Sequence, residues 1–245
     1  GRGGGGGAGE GGAEAALKAA FAATPTHASF AALLAALADH GKWQAALKTL
    51  QEMRKLKLSP DEACYAHAVD ALWRADQQAR ALSAMKDMLK QGMFARTVSH
   101  GPFVAPWKRQ VRRPPPMSQG WPESSAHWAT HQVVLDVRKL PPGAAAALTV
   151  LWLANLSSRV QRGMPVPPGL QVLTGWRGKA GPAVQRAVGG LLRQLGSPFE
   201  QVSDQNPGLL HAMGDELAAW LDGGANGVLS SRMEEAVRVA EPGSE

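Results

Sequence analysis

A period of 35 residues runs through positions 27–96. Ala28 is matched by Ala63, Phe30 by Tyr65, Ala36 by Ala71 and Leu37 by Leu72. Further on, Ala46 is matched by Ala81, Leu47 by Leu82, Met53 by Met88 and Lys55 by Lys90. Self-similarity at a fixed spacing of this size is the signature of a stacked repeat. Each unit reads as two helices. Phe30, Leu33, Leu34 and Leu37 fall at i, i+3, i+4 and i+7 on one face. His40-Gly41 breaks that helix, and Ala46, Leu47, Leu50 and Met53 mark the next. Ser59-Pro60-Asp61 closes the unit. Neither helix can bury its stripe alone, so the two hairpins, 27–61 and 62–96, must stack. Two units are fewer than the three or so such a stack wants. The chain also starts at Gly1 rather than Met, so further repeats and any targeting peptide are expected upstream.

Charge is the second constraint. The 245 residues carry a formal charge of +6, unevenly placed. Residues 97–199 hold 12 basic side chains and two acids, Glu123 and Asp136, whereas residues 200–245 hold two basic and nine acidic ones. Such asymmetry points to a polyanion, nucleic acid before membrane. A single cysteine, Cys64, rules out an internal disulfide framework and a Cys-rich zinc site. The longest apolar run, around Ala144 to Ala154, is too short for a membrane span and reads as a buried helix.

The rest of the chain divides by composition. Residues 1–12 are a glycine run expected to be disordered, and 13–26 hold a short Ala-rich helix ended by Pro25. Residues 97–131 are basic and proline-rich and read as a semi-extended linker. Residues 132–222 read as β-α-β-α-β-α, a small two-layer α/β domain. The strands are expected at 132–137, 169–173 and 199–202. The helices are expected after Pro141-Pro142-Gly143, after Pro182 and after Asn206-Pro207. Residues 223–245 form an acidic tail. The fold class is thus a helical-hairpin repeat piece (α-solenoid) followed by an α/β domain.

The repeats resemble the pentatricopeptide repeat (PPR) family at Phe30 and Tyr65, Gly41, Ala46-Leu47 and Ala81-Leu82, Met53 and Met88, Gly92 and Pro60-Asp61. They depart at Asp76, where the first unit has Gly41, and at Ala95-Arg96, where it has Pro60-Asp61. The α/β segment resembles the Smr (small MutS-related) domain at Leu135-Asp136-Val137-Arg138, Leu140-Pro141-Pro142-Gly143, Thr174–Gly181, Gly196-Ser197-Pro198-Phe199 and Asn206-Pro207-Gly208. Repeats followed by this domain are the order of the PPR-Smr proteins of plants and green algae.

The resemblance implies RNA binding in chloroplast or mitochondrial RNA metabolism. One such repeat reads about one base of single-stranded RNA, and the reading positions carry over to Ala31 with Asp61 and Ala66 with Arg96. In the α/β segment a strand running into a glycine-rich turn and then a helix N-terminus makes an anion site. Thr174, Gly175, Trp176, Arg177, Gly178 and Lys179, with Arg138 and Lys139, are therefore the expected nucleic-acid contacts. An ATP loop is excluded by Ala180 after Gly178-Lys179. The family's Leu-Asp-x-His motif is linked to endonuclease activity in some members. Here Asp136 stands as its acid, but Arg138 occupies the histidine position, and arginine cannot shuttle a proton near neutral pH. Binding rather than cutting is therefore the first expectation, with Mg²⁺ required only if the endonuclease reading holds. A Smr-type endonuclease acting on RNA or DNA is the second reading, and a protein-interaction module using the helical face is the third. No metal, other cofactor or membrane is expected.

Overall fold

The computed structural model describes residues 26–102, 131–175, 181–204 and 206–223. Residues 13–25 of the expected short helix, the glycine run, residues 224–245 of the acidic tail and most of the linker lie outside these residues.

The repeat period reappears in the backbone. Four 13-residue helices, α1 (His27–Asp39), α2 (Trp43–Lys55), α3 (Glu62–Arg74) and α4 (Gln78–Lys90), form two hairpins. Helix α3 starts 35 residues after α1, and α4 starts 35 after α2. The caps repeat as well. The Thr26 side chain accepts from the Ser29 N–H, and Asp61, 35 positions on, accepts from the Cys64 N–H. Each cap satisfies one of the orphan donors of a helix start. Lys42 and Gln77 precede α2 and α4 without a side-chain bond.

The turns repeat too. Gly41 (φ 61°) and Asp76 (φ 59°) end α1 and α3, and Lys57 (φ 60°) and Gly92 (φ 79°) end α2 and α4, all in left-handed backbone. The replacement of glycine by Asp76 therefore leaves the turn unchanged, because aspartate enters this region more readily than most side chains. Lysine has no such ease. Lys57→Gly is expected to raise stability by about 0.5–1 kcal/mol, the left-handed cost of about 1–2 less the entropy cost of glycine. An unchanged urea midpoint would show that Lys57 bears no strain.

A five-stranded mixed sheet follows, in the order β1 (Val98–Pro102), β2 (His131–Asp136), β3 (Gly169–Leu173), β5 (Leu209–Met213), β4 (Glu200–Gln201). Only β2 and β3 are parallel. Helix α5 (Pro142–Gln161) joins them, α6 (Gly181–Gln194) follows β3, and α7 (Gly214–Gly223) follows β5. Two expectations are corrected. The first residues of the proposed linker form β1, an edge strand. Pro102 at its end is tolerated there because an edge need not donate every N–H to the ladder. The last helix does not open at Asn206-Pro207. Leu209–Met213 form β5, buried between β3 and β4, and the helix begins only at Gly214. The amino end of Gly214 bonds the Pro168 carbonyl and ties α7 to the loop before β3.

Helix α5 is the hub. Ala144 to Leu153 are all buried, on every side of the helix. A helix apolar all round is a core helix. One side lies on α6 and α7, the other on α3 and α4. Val69, Leu72, Leu82 and Met85 of the repeats therefore share a core with Val133, Leu135, Leu170, Val172 and Leu210 of the sheet. The second hairpin and the sheet thus share one core, and the first hairpin packs on the second around a cluster of its own.

The alternate sheet face carries Val134, Gln132, Gln171, Leu209 and His211, all buried. Gln171 stands directly opposite His211 across the β3–β5 ladder, and Gln132 accepts from Gln171 at 3.5 Å. His211 Nε2 is buried without a partner, and burial pushes the imidazole pKa below its ordinary 6.5. The unfolded chain thus takes up a proton first as pH falls through 6.5, and the fold loses stability below that pH. Burial lowers the His67 pKa in the same direction. The urea midpoint is expected to drop between pH 7 and pH 5, and to drop less in His211→Gln. An equal drop in both proteins would remove His211 from the account.

Candidate nucleic-acid interface

The carboxyl ends of the parallel strands β2 and β3 lie side by side, and three sequence motifs meet there. Asp136 ends β2, and Thr174-Gly175 follow β3. The Asn206-Pro207-Gly208 loop enters β5 beside them. The Thr174 N–H donates to the Gly208 carbonyl at 2.8 Å, and its hydroxyl donates to the same oxygen at 3.2 Å. Thr174 is fully buried by this contact. Gly208 must be glycine, since a Cβ there would lie 2.6 Å from the Gly175 carbonyl carbon. The start of the glycine-rich turn is therefore clamped, and the side chain of Arg138 packs against Gly175. Trp176, Arg177, Gly178 and Lys179 lie outside the described residues.

Asp136 is occupied. Arg138 Nε donates to its Oδ1 at 2.9 Å and Nη2 to its Oδ2 at 2.8 Å, a two-pronged pair. The Arg138 backbone N–H adds a third bond at 3.3 Å. The bond to Asp136 raises the guanidinium pKa further above its already high value. Such a fork holds both carboxylate oxygens in place. Arg138 remains about half exposed, 47 % at its side chain, so donors not directed at Asp136 still face water. Lys139 beside it is exposed.

These two cations form one side of a cleft of 640 Å³ between the sheet edge and the repeats. Leu140, Pro141 and Pro142 continue that side, and Ala183 brings in the first turn of α6. The opposite side comes from Ala35 and Asp39 of α1 and from Glu62, Ala63, Ala66, His67, Asp70 and Arg74 of α3. Spacings of three and four place Ala63, Ala66, His67, Asp70 and Arg74 on one helical face.

Asp70 locks the two sides together. It is 2 % exposed. One oxygen accepts the Gly143 N–H at the start of α5, and the other accepts Arg74 Nε at 2.9 Å. Arg74 also reaches Asp39 at 3.4 Å. Pro141 and Pro142 give α5 no side-chain cap of their own. The cap comes instead from a carboxylate 73 residues away in the repeats.

Of the base-reading positions, only Ala66 lines this cleft, buried at 1 %. Asp61 caps α3, Ala31 lies within α1 and Arg96 is exposed in a short 3₁₀ turn at Ala95–Thr97. The structure thus joins Arg138, Lys139, Thr174 and Gly175 at the ends of β2 and β3, sets Ala66 on the opposite side of the cleft, and leaves Ala31, Asp61 and Arg96 apart from it. Sequence reasoning missed Glu62, His67 and Asp70. The spacing of His67 and Asp70, three apart, puts them on one helical face, but only the packing of the repeats against α5 brings that face to the cleft.

No protein-family model matches the chain, and no curated protein matches it.

Another group of donors lies at the far end of α1. His27, Asp61 and Cys64 place ligand atoms within 4.8 Å of one another. The residues do not suit a metal. Asp61 Oδ1 is committed to the Cys64 N–H at 2.9 Å. Burial, reinforced by Asp61, pushes the Cys64 thiol up to about 11, whereas a metal wants the thiolate. Burial raises the Asp61 carboxyl, but the bonds from Cys64 and the charge of His27 outweigh it, and its pKa is lowered. The arrangement is that of a capped helix start.

Proposed function

We propose that this protein is a PPR-Smr protein that binds single-stranded RNA, and that it acts in chloroplast or mitochondrial RNA metabolism. The observation that carries the binding reading is the meeting of Arg138, Lys139 and the clamped Thr174-Gly175 turn at one strand edge, beside the N-terminus of α6. A phosphate backbone is held by such sets of cations, backbone N–H groups and helix ends. The excess of 12 basic side chains over two acids in residues 97–199 supplies the wider attraction. Arg177 and Lys179, two and four residues after Gly175 in the sequence, are among those twelve. The organelle assignment and the family rest on the resemblance alone.

The Asp136–Arg138 fork weighs against the endonuclease reading. A catalytic carboxylate must bind a metal or move a proton, and both oxygens of Asp136 already accept from an arginine. At position 138 itself stands an arginine, which is no general base near neutral pH. The protein-partner reading draws its support from Ala31 and Ala66, which offer no hydrogen bond to a base. Among the described residues no helix is long and apolar enough to cross a membrane.

The test is to incubate the chain with labelled single-stranded RNA and duplex DNA, with and without Mg²⁺, scoring binding and cleavage together. RNA bound and left intact is the expected result. Cleavage lost in Asp136→Asn would make the protein an enzyme. Neither binding nor cleavage would leave the protein-partner reading.

A further inference from the structure

The cleft between repeats and sheet edge has walls of opposite character. The strand-edge wall carries Arg138 and Lys139 and the first turn of α6. The repeat wall carries the carboxylates of Asp39, Glu62 and Asp70, with His67 among them and the Arg74 guanidinium held between Asp70 and Asp39. These acids are not equivalent. Asp70 is spent, one oxygen on Gly143 and one on Arg74. Glu62 accepts the Phe94 N–H through Oε1 at 2.9 Å, which fixes its side chain and leaves Oε2 for a ligand. Asp39 is 71 % exposed and is touched only at one oxygen by Arg74. The cleft therefore pairs an anion-binding side with a side rich in acceptors.

A nucleotide has that polarity: a phosphate at one end and a base edge at the other. The volume of 640 Å³ falls inside the range of about 300–1,000 Å³ for small-molecule sites. Base edges differ in what they offer a carboxylate. Guanine presents two adjacent N–H donors, N1–H and the 2-amino group, which match two acceptor oxygens such as Glu62 Oε2 and the Asp39 oxygen not held by Arg74. Uracil presents a single N–H flanked by two carbonyl acceptors, which a carboxylate repels. Adenine and cytosine offer an amino group next to an acceptor, an intermediate case. Half-buried His67 is held neutral by burial and supplies one donor and one acceptor beside the carboxylates.

We infer that this cleft is a guanine-nucleotide site, with the phosphate on Arg138 and Lys139 and the base edge on Glu62 and Asp39. The inference rests on the RNA-binding reading and deepens it. It places one base-selective contact at the junction of the two parts of the chain, away from the alanines at positions 31 and 66. A guanosine monophosphate unit reaches such a site either as a residue of an RNA strand or as a free mononucleotide.

The experiment measures the affinity of the full chain for a labelled 12-residue oligouridine and for the same oligomer with one central uridine replaced by guanosine. The ratio of the two affinities is the readout. A bidentate base contact predicts a ratio of about tenfold in favour of guanosine. In Glu62→Gln, and separately in Asp39→Asn, the ratio should fall towards one, with circular dichroism confirming that each variant is folded. Asp39 makes no backbone contact, so it keeps the test valid if Glu62→Gln perturbs the turn at Phe94. Equal affinities for the two oligomers in the native protein would overturn the inference and leave RNA binding standing. Failure to bind either oligomer would overturn both. A native ratio that persists in both variants would also overturn it, by placing the selectivity elsewhere. Displacement of the guanosine oligomer by guanosine monophosphate would assign the site to the free nucleotide, and resistance to displacement would assign it to a residue within the strand.

Discussion

Gly143→Ala is expected to lower the stability of the whole protein by about 3 kcal/mol or more. A Cβ at position 143 would lie 2.6 Å from Trp73 Cβ and 2.8 Å from Asp70 Oδ1. Neither atom can move cheaply. Trp73 Cβ is fixed by the α3 backbone, and Asp70 is buried and held by Arg74. The helices α3 and α5 must separate, which opens the shared core and breaks the Asp70 bond to the Gly143 N–H. Overpacking of this kind costs about 1–3 kcal/mol. A buried hydrogen bond to a charged group adds about 1.5–3. Gly190, in the middle of α6, is the control. A Cβ there meets nothing within 4 Å, and Gly190→Ala should stabilise by about 0.5–1 kcal/mol, the helix preference for alanine. Urea unfolding of the two variants checks both values. A loss below about 1 kcal/mol for Gly143→Ala would show that α3 and α5 are not tightly docked.

The second large effect concerns RNA. Replacing Arg138 and Lys139 together by alanine is expected to weaken RNA binding about 100-fold or more at moderate salt. Each charge-assisted contact to a phosphate is worth about 1.5–3 kcal/mol, and 1.4 kcal/mol is a factor of about ten. Lys139→Ala alone gives the cleaner reading, about tenfold, because Arg138 also holds Asp136. In the double variant Asp136, at 12 % exposure, loses its partner. Fold stability is therefore measured beside affinity, and Arg138→Lys keeps a positive charge there. An anisotropy titration in which the double variant binds as the native protein does would remove this edge from the interface.

Legibility in the sequence followed the physics of each element. The repeats were legible because their signals are local and doubled. The caps at Thr26 and Asp61 and the turns at positions 41, 57, 76 and 92 recur at the same spacing as the apolar stripe. Helix α5 and the strands β2 and β3 were legible from unbroken apolar and β-branched runs between proline and glycine stops. Two elements were not. β1 carries glycine and proline within five residues, and only its pairing with β2 makes it a strand. β5 is Leu-Leu-His-Ala-Met, a run with no β-branched residue, and its place between β3 and β4 decides its form. The edge residues Asp136, Arg138, Lys139, Thr174 and Gly175 were legible as motifs. The arginine fork on Asp136 was not, because nothing in the spacing of two residues tells that both oxygens are taken. The Asp70 cap on α5 was hidden for a different reason. It joins positions 73 residues apart, and a buried aspartate on a helical stripe reads as an exposed one until its partner is known.

The central claim is that the basic edge of the sheet holds a phosphate backbone. The most direct measurement is the affinity of the full chain for single-stranded RNA as a function of salt. Arg138 and Lys139 at the edge, with Arg177 and Lys179 two and four residues after Gly175 in the sequence, predict that log affinity falls with log salt with a slope of about −3. The Arg138→Ala, Lys139→Ala double variant should be shallower by about 1.4. A native slope near zero, or the same slope in both proteins, would contradict the account.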